Sequence, residues 1–168
     1  FATIPGITQI REPGQIGVHE FDTYLPLLSL PRVHGTTLDT IPTQVPYLDV
    51  QALRRRKTND AVSLPSSSQR KLGIVWAGSP THANDRNRSC PLPAWLPLLR
   101  TPGVEFYSLQ KDGGSRGLAE LPAGVRLHDL DPLLGDYGDL AILLDQLDLL
   151  ISVDTSVAHV AGALGKPV

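Results

Sequence analysis

Hydrophobic and polar positions follow different rules on the two sides of Leu72. Beyond it, Leu72-Gly73-Ile74-Val75-Trp76-Ala77 is an unbroken apolar run, as a strand covered on both faces requires. A polar loop from Ser79 to Ser89 follows, then a helix over 93–99 with Pro93 in its first turn. Val104 to Leu109 is the next strand, 111–117 a mobile glycine-rich loop, and Val125 to His128 a short third strand. Leu140 to Leu147 reads as a helix with Asp139 as its N-cap. Leu149-Leu150-Ile151-Ser152-Val153 is a last buried strand, and Asp154-Thr155-Ser156 opens a helix through Leu164 that Gly165 closes. This order predicts an α/β body, Rossmann-like and doubly wound around a mostly parallel sheet.

Before Leu72 there is no such periodicity. Residues 1–48 carry short apolar runs broken by proline, such as Leu25-Pro26-Leu27-Leu28 and Val45-Pro46, which allow only edge strands and short helical turns. A stretch without a periodic face of its own is expected to pack on another body. Residues 49–71 form a third segment, a short basic helix from Gln51 to Lys57 followed by the serine-rich linker Ser66-Ser67-Ser68. No aromatic residues interleave with the arginines, so the helix reads as a solvated face and not as a nucleic-acid site.

Composition narrows the classes. The 168 residues hold 15 Lys+Arg against 17 Asp+Glu, so no general attraction to nucleic acid or to a membrane surface is expected. Hydrophobic residues make up 41%, enough for a core. Charged residues are 19%, under the usual share of about 25%, which suggests a surface partly covered by something else. One cysteine, Cys90, excludes an internal disulfide, and no apolar run reaches the roughly 20 residues of a membrane span. The chain opens at Phe1, has no methionine and stops where a further strand is expected, so it reads as a piece of a longer protein, truncated at both ends.

Candidate chemistry concentrates where a parallel sheet binds ligands, at the carboxyl ends of its strands. Asp154, Thr155 and Ser156 are delivered by a buried strand onto the start of a helix rich in small residues. Free amides and the positive end of the helix dipole there suit an anion. His159, one turn beyond Ser156, shares its side of the helix. The same residues also fit a plain helix cap followed by a core histidine. Arg86 and Arg88 sit in the loop that begins at Gly78 and could clamp a pyrophosphate, or be solvated loop arginines. Gln110 and Lys111, at the end of the second strand, are further candidates for nucleotide contacts. Gly162 to Lys166 looks like a phosphate loop but ends a helix and places Pro167 where Ser or Thr must bind magnesium. Asp129 and Asp131 read as a turn, with a metal-binding carboxylate pair as the competing reading. The histidines show no metal-ligand spacing.

Taken in order, Trp76-Ala77-Gly78, Asn84-Asp85-Arg86-Asn87-Arg88-Ser89, Ser108-Leu109-Gln110, Leu147 to His159 and Leu164-Gly165-Lys166-Pro167-Val168 resemble the C-terminal half of heptosyltransferase-like glycosyltransferases. That group is glycosyltransferase family 9, and the version most alike is fused to tetratricopeptide repeats in bacterial proteins. The likeness covers roughly residues 20–168. It implies a GT-B enzyme, with 1–48 the tail of the N-terminal domain, 49–71 the inter-domain helix and linker, and 72–168 the sugar-nucleotide domain, incomplete at its C-terminus. By the same resemblance, Asp154, Thr155 and Ser156 would hold a nucleotide-diphosphate sugar, ADP- or UDP-linked. Arg88 would neutralise the leaving diphosphate, and His159 would support the same loop. Transfer to an unknown glycan or protein acceptor would be inverting, cytoplasmic, and free of metal or other cofactor. The fragment alone is expected to be inactive and prone to self-association. A catalytically silent binding or scaffold module and a sugar-nucleotide epimerase are the alternatives.

Overall fold

The computed structural model describes residues 6–11, 14, 15, 17, 21–57, 62–111 and 115–168. It divides into two compact bodies, Phe1–Gln44 and Val45–Val168. The expected mobile loop over 111–117 lies partly outside the described residues, at 112–114.

Within the first body, the described residues form a 3₁₀ turn Leu27–Ser29, a single turn α1 (Leu30–Val33) with Pro31 at its start, and a second 3₁₀ turn Leu38–Thr40. Proline supplies no N–H and fixes φ, so the helical pieces stay one turn long.

The second body begins at Val45, ahead of the expected boundary at 48, because the backbone amides of Tyr47 and Leu48 both donate to the Ala163 carbonyl. Its elements are α2 (Val50–Arg56), β1 (Arg70–Val75), α3 (Asp85–Arg88), α4 (Leu96–Leu99), β2 (Val104–Ser108), α5 (Ser115–Leu118), β3 (His128–Asp129), α6 (Tyr137–Asp145), β4 (Leu149–Ser152) and α7 (Ser156–Ala163). The four strands are all parallel in the order β3-β2-β1-β4, which bears out the Rossmann-like α/β reading. No helix among the described residues is long and apolar enough to cross a membrane.

The sheet has a core on each face, as alternation along its strands demands. Ile74, Trp76 and Phe106 point to one face, where Leu92, Leu99 and Leu118 cover them. Val75, Tyr107 and Leu150 point to the other, under α6 and α7, where Leu140, Leu143, Leu144 and Ala161 are buried. Gly73 lies on this second face, opposite Tyr107 and Leu150, where a Cβ would stand 2.6 Å from Leu147 and 2.9 Å from Leu109. Helix α2 packs on α6 and buries Val50.

Three elements differ from the expectation. The helix over 93–99 is a 3₁₀ turn Leu92–Trp95 leading into α4, since Pro93 and Pro97 each remove an amide from any continuous ladder. The third strand shortens to His128–Asp129, because Val125 and Leu127 pack on the Ile74–Phe106 core without entering the ladder. Helix α6 starts at Tyr137, and its N-cap is Asp136. The Asp136 carboxylate accepts from the amides of Gly138 and Asp139, while the Asp139 carboxylate accepts from the Asp136 amide. This reciprocal capping box gives Asp139 the third helical position, not the cap.

The end of α7 follows the expectation. Gly165 has φ +68°, and its neighbours form a Schellman motif, with the Lys166 amide on the Ala161 carbonyl and the Gly165 amide on Gly162. The Lys166 ammonium donates to the Asp145 and Leu147 carbonyls at the end of α6, where the helix dipole favours a cation. The phosphate-loop likeness of Gly162 to Lys166 therefore resolves into two helix C-termini.

Candidate functional site

Strands β1, β2 and β3 succeed one another to one side, and β4 returns to the other side of β1. The order in which strands are added thus reverses between β1 and β4, the place where open α/β sheets form a crevice at the carboxyl ends of their strands. Val75 pairs with Ser152 there, and the Val153 amide adds a further bond to the Val75 carbonyl at 2.9 Å.

The loop after β1 and the turn after β4 meet across this point. Arg88, on α3, reaches Asp154 with one nitrogen. Its Nη2 donates to the Asp154 carbonyl at 2.5 Å and to the carboxylate Oδ2 at 3.2 Å. The β1 loop is braced from below: Ser89 Oγ donates to Asp85 at 2.6 Å and accepts the Gly78 amide at 3.0 Å. Arg86, two residues earlier, is exposed and makes no hydrogen bond or ion pair among the described residues.

The β4–α7 turn presents its donors unevenly. Thr155 is the N-cap of α7 but makes no capping hydrogen bond; its Oγ1 lies 3.1 Å from Ser152 Oγ. The Ala158 amide is taken by the Thr155 carbonyl at 3.1 Å. The amides of Ser156 and Val157 have no partner among the described residues. Both residues line an open crevice of about 230 Å³. Leu109, Leu134, Leu140 and Val157 make its apolar wall, and Lys111, Asp136, Tyr137 and Ser156 its polar rim.

Tyr137 bridges the two helix starts on that rim, donating its phenolic proton to Ser156 Oγ at 3.0 Å. Ser156 Oγ accepts this bond and keeps its own proton to donate. Lys111 pairs with Asp131 at 3.0 Å, and Asp129 Oδ1 accepts the Asp131 amide at 3.0 Å, so these two carboxylates serve a turn and an ion pair. Lys57, the C-cap residue of α2, donates to Asp136 at 2.7 Å and to Asp139. Partial burial alone would lower the Lys57 pKa, but the bonds to Asp136 and Asp139 outweigh it and raise it. The Lys57 ammonium and the Asp139 amide together hold the Asp136 carboxyl below its usual range.

Of the residues singled out from the sequence, Arg88, Asp154, Thr155 and Ser156 come together at the switch point, and Lys111 joins Ser156 on the crevice rim. Gln110 is buried, and its amide is spent on a two-way pair with the Ala77 backbone, at 3.0 and 3.1 Å. It joins the ends of β1 and β2. The Gly78 amide is likewise spent, on Ser89. His159 is exposed, not a core histidine, and does not line the crevice. A helix taken to begin at Leu140 with Asp139 as its cap does not point to Tyr137, Asp136 or Lys57. The Asp136-to-Asp139 spacing of a capping box was the signal that could have found them.

Over 102 residues the chain is 30% identical to Protein FlbA of Caulobacter vibrioides. The match covers 58% of this chain and 17% of that protein, so the chain spans less than a fifth of the relative's length. No family model matches the chain, and no solved structure matches it.

Proposed function

We propose that residues 45–168 are the sugar-nucleotide half of a heptosyltransferase-like GT-B glycosyltransferase, acting in the cytoplasm on an ADP- or UDP-sugar. The observation that carries this reading is the pair of amides, Ser156 and Val157, that have no partner among the described residues and begin the helix just after the turn held by the Arg88 guanidinium at Asp154. When an acceptor oxygen attacks the anomeric carbon, the glycosidic bond breaks and its electron pair leaves on the diphosphate. The charge that builds on the leaving oxygens exceeds that of the bound donor. Fixed N–H groups, the α7 dipole and Arg88 therefore stabilise the transition state more than the ground state. Ser156 offers a hydroxyl donor to the same group, and Lys111 a cation at the rim. In this reading the acceptor pocket and the catalytic base belong to the opposite half of the GT-B fold.

Donor binding is accordingly the readout. Melting of the protein is to be followed against a panel of ADP- and UDP-sugars, since a ligand of the native state raises the midpoint. At least one donor should stabilise the wild type, and Arg88→Ala should weaken that donor about tenfold or more, the cost of a charged hydrogen bond. Unchanged affinity in Arg88→Ala sinks the assignment. Donor isomerisation without an acceptor would identify an epimerase, and donor binding that never leads to turnover, even with the other half supplied, a silent module.

A further inference from the structure

Arg88 already holds an anion, and that anion is Asp154. The two bonds from Nη2 differ in kind. The bond to the Asp154 carbonyl involves backbone, so it fixes the guanidinium over the β4–α7 turn whatever side chain stands at 154. The bond to the carboxylate is an ion pair in which the Asp154 side chain is 75% exposed and the Arg88 side chain 27%. Water screens such a pair, and it opens at small cost. Carboxylate and phosphate oxygens compete for the same guanidinium donors. The Ser156 and Val157 amides, two and three residues on, have no competing partner of this kind among the described residues.

We propose that Asp154 is a resident counter-ion for Arg88, displaced when a diphosphate enters and returning to the guanidinium when it leaves. The proposal rests on reading the switch point as a diphosphate site. It gives Asp154 a role opposite to that of a phosphate ligand: its charge lowers the affinity for a free nucleoside diphosphate. A tethered competitor of this sort favours release of the product once the sugar has gone. Because the carbonyl bond persists, the arginine keeps its place while the carboxylate swings out.

Calorimetric titration of ADP, UDP and inorganic pyrophosphate into the wild type, Asp154→Asn, Arg88→Gln and the double variant tests this. Asp154→Asn should bind all three probes about two- to fivefold tighter, the range spanned by an exposed ion pair. In the Arg88→Gln background the same substitution should neither tighten nor restore binding, since a coupling requires both partners. Weaker or unchanged binding by Asp154→Asn overturns the proposal, as does equal tightening without Arg88. If wild type and Asp154→Asn alike bind none of the probes, the diphosphate reading itself has failed. Asp154→Ser is a second neutral variant, followed with circular dichroism; unfolding of both would make Asp154 a structural residue and end the idea.

Discussion

Gly73 shows how little room a single position has in this sheet. It sits in β1 between strands on both sides, and the chains of Leu147, Leu109 and Leu150 close over it. Those side chains belong to the core that carries α6 and α7, so they cannot all move aside. Gly73→Val is expected to cost about 1–3 kcal/mol through overpacking, read as a lower midpoint in urea unfolding with an unchanged slope. The same residue scale decides which polar groups remain for a ligand. Gln110 and Gly78 look like ligand contacts in the sequence, yet the backbone of Ala77 and the hydroxyl of Ser89 take their hydrogen bonds. Val157, the second residue of α7, keeps its amide because Thr155 makes no side-chain cap, and Ser156, as the first residue, lies where no cap side chain reaches.

At the scale of elements, the junction of α2 with the start of α6 is held by one ammonium. Lys57 reaches two carboxylates of the capping box, and the more buried of them, Asp139, has little water to replace a lost partner. Lys57→Met should destabilise the fold by about 1–2 kcal/mol, between the values for exposed and buried ion pairs. Its pH dependence has a definite sign. The Asp136 pKa is depressed in the folded state, so its contribution is present above the unfolded value and fades as pH falls through the folded one. The Lys57 pKa is raised, so its contribution is complete below the unfolded value and fades as pH climbs through the folded one. The stability gap between wild type and Lys57→Met should therefore be widest near neutrality, and narrow below about pH 4 and above about pH 10. A gap that stays constant from pH 3 to neutrality, measured by chemical unfolding, would contradict this account.

For the whole molecule, the sheet, both cores and the crevice draw only on residues from Val45 onward. A chain starting at Val45 should unfold cooperatively with a midpoint close to that of the longer one. If the proposed diphosphate site is right, it should also bind pyrophosphate with affinity within about twofold, because every group of that proposed site is retained. The first body, by contrast, exposes large apolar side chains: Leu28 is 95% exposed and Leu38 89%. Such surface favours association, so removing residues 1–44 should lower the concentration-dependent mass seen in sedimentation velocity. Loss of cooperativity in the shorter chain would mean that the second body is not a folding unit.

Local signals explain what could be read early. A strand buried on both faces must be apolar without a break, and a helix must begin with capping residues and end where glycine can take positive φ. Those rules act over a few neighbours, so β1, β2, β4, the β4–α7 turn and Gly165 were legible from residue order alone. Legibility was lower where prolines broke the helix over 93–99 and where a capping box moved the start of α6, since cap geometry depends on which carboxylate folds back. The sequence by itself determined an α/β body with a polar turn opening its last helix. Only the tertiary structure decided that Arg88 faces Asp154, that Tyr137 bridges to Ser156, and that Gln110 is spent on Ala77. Such pairings join residues far apart in the chain, and strand order and register, which no local pattern encodes, choose them.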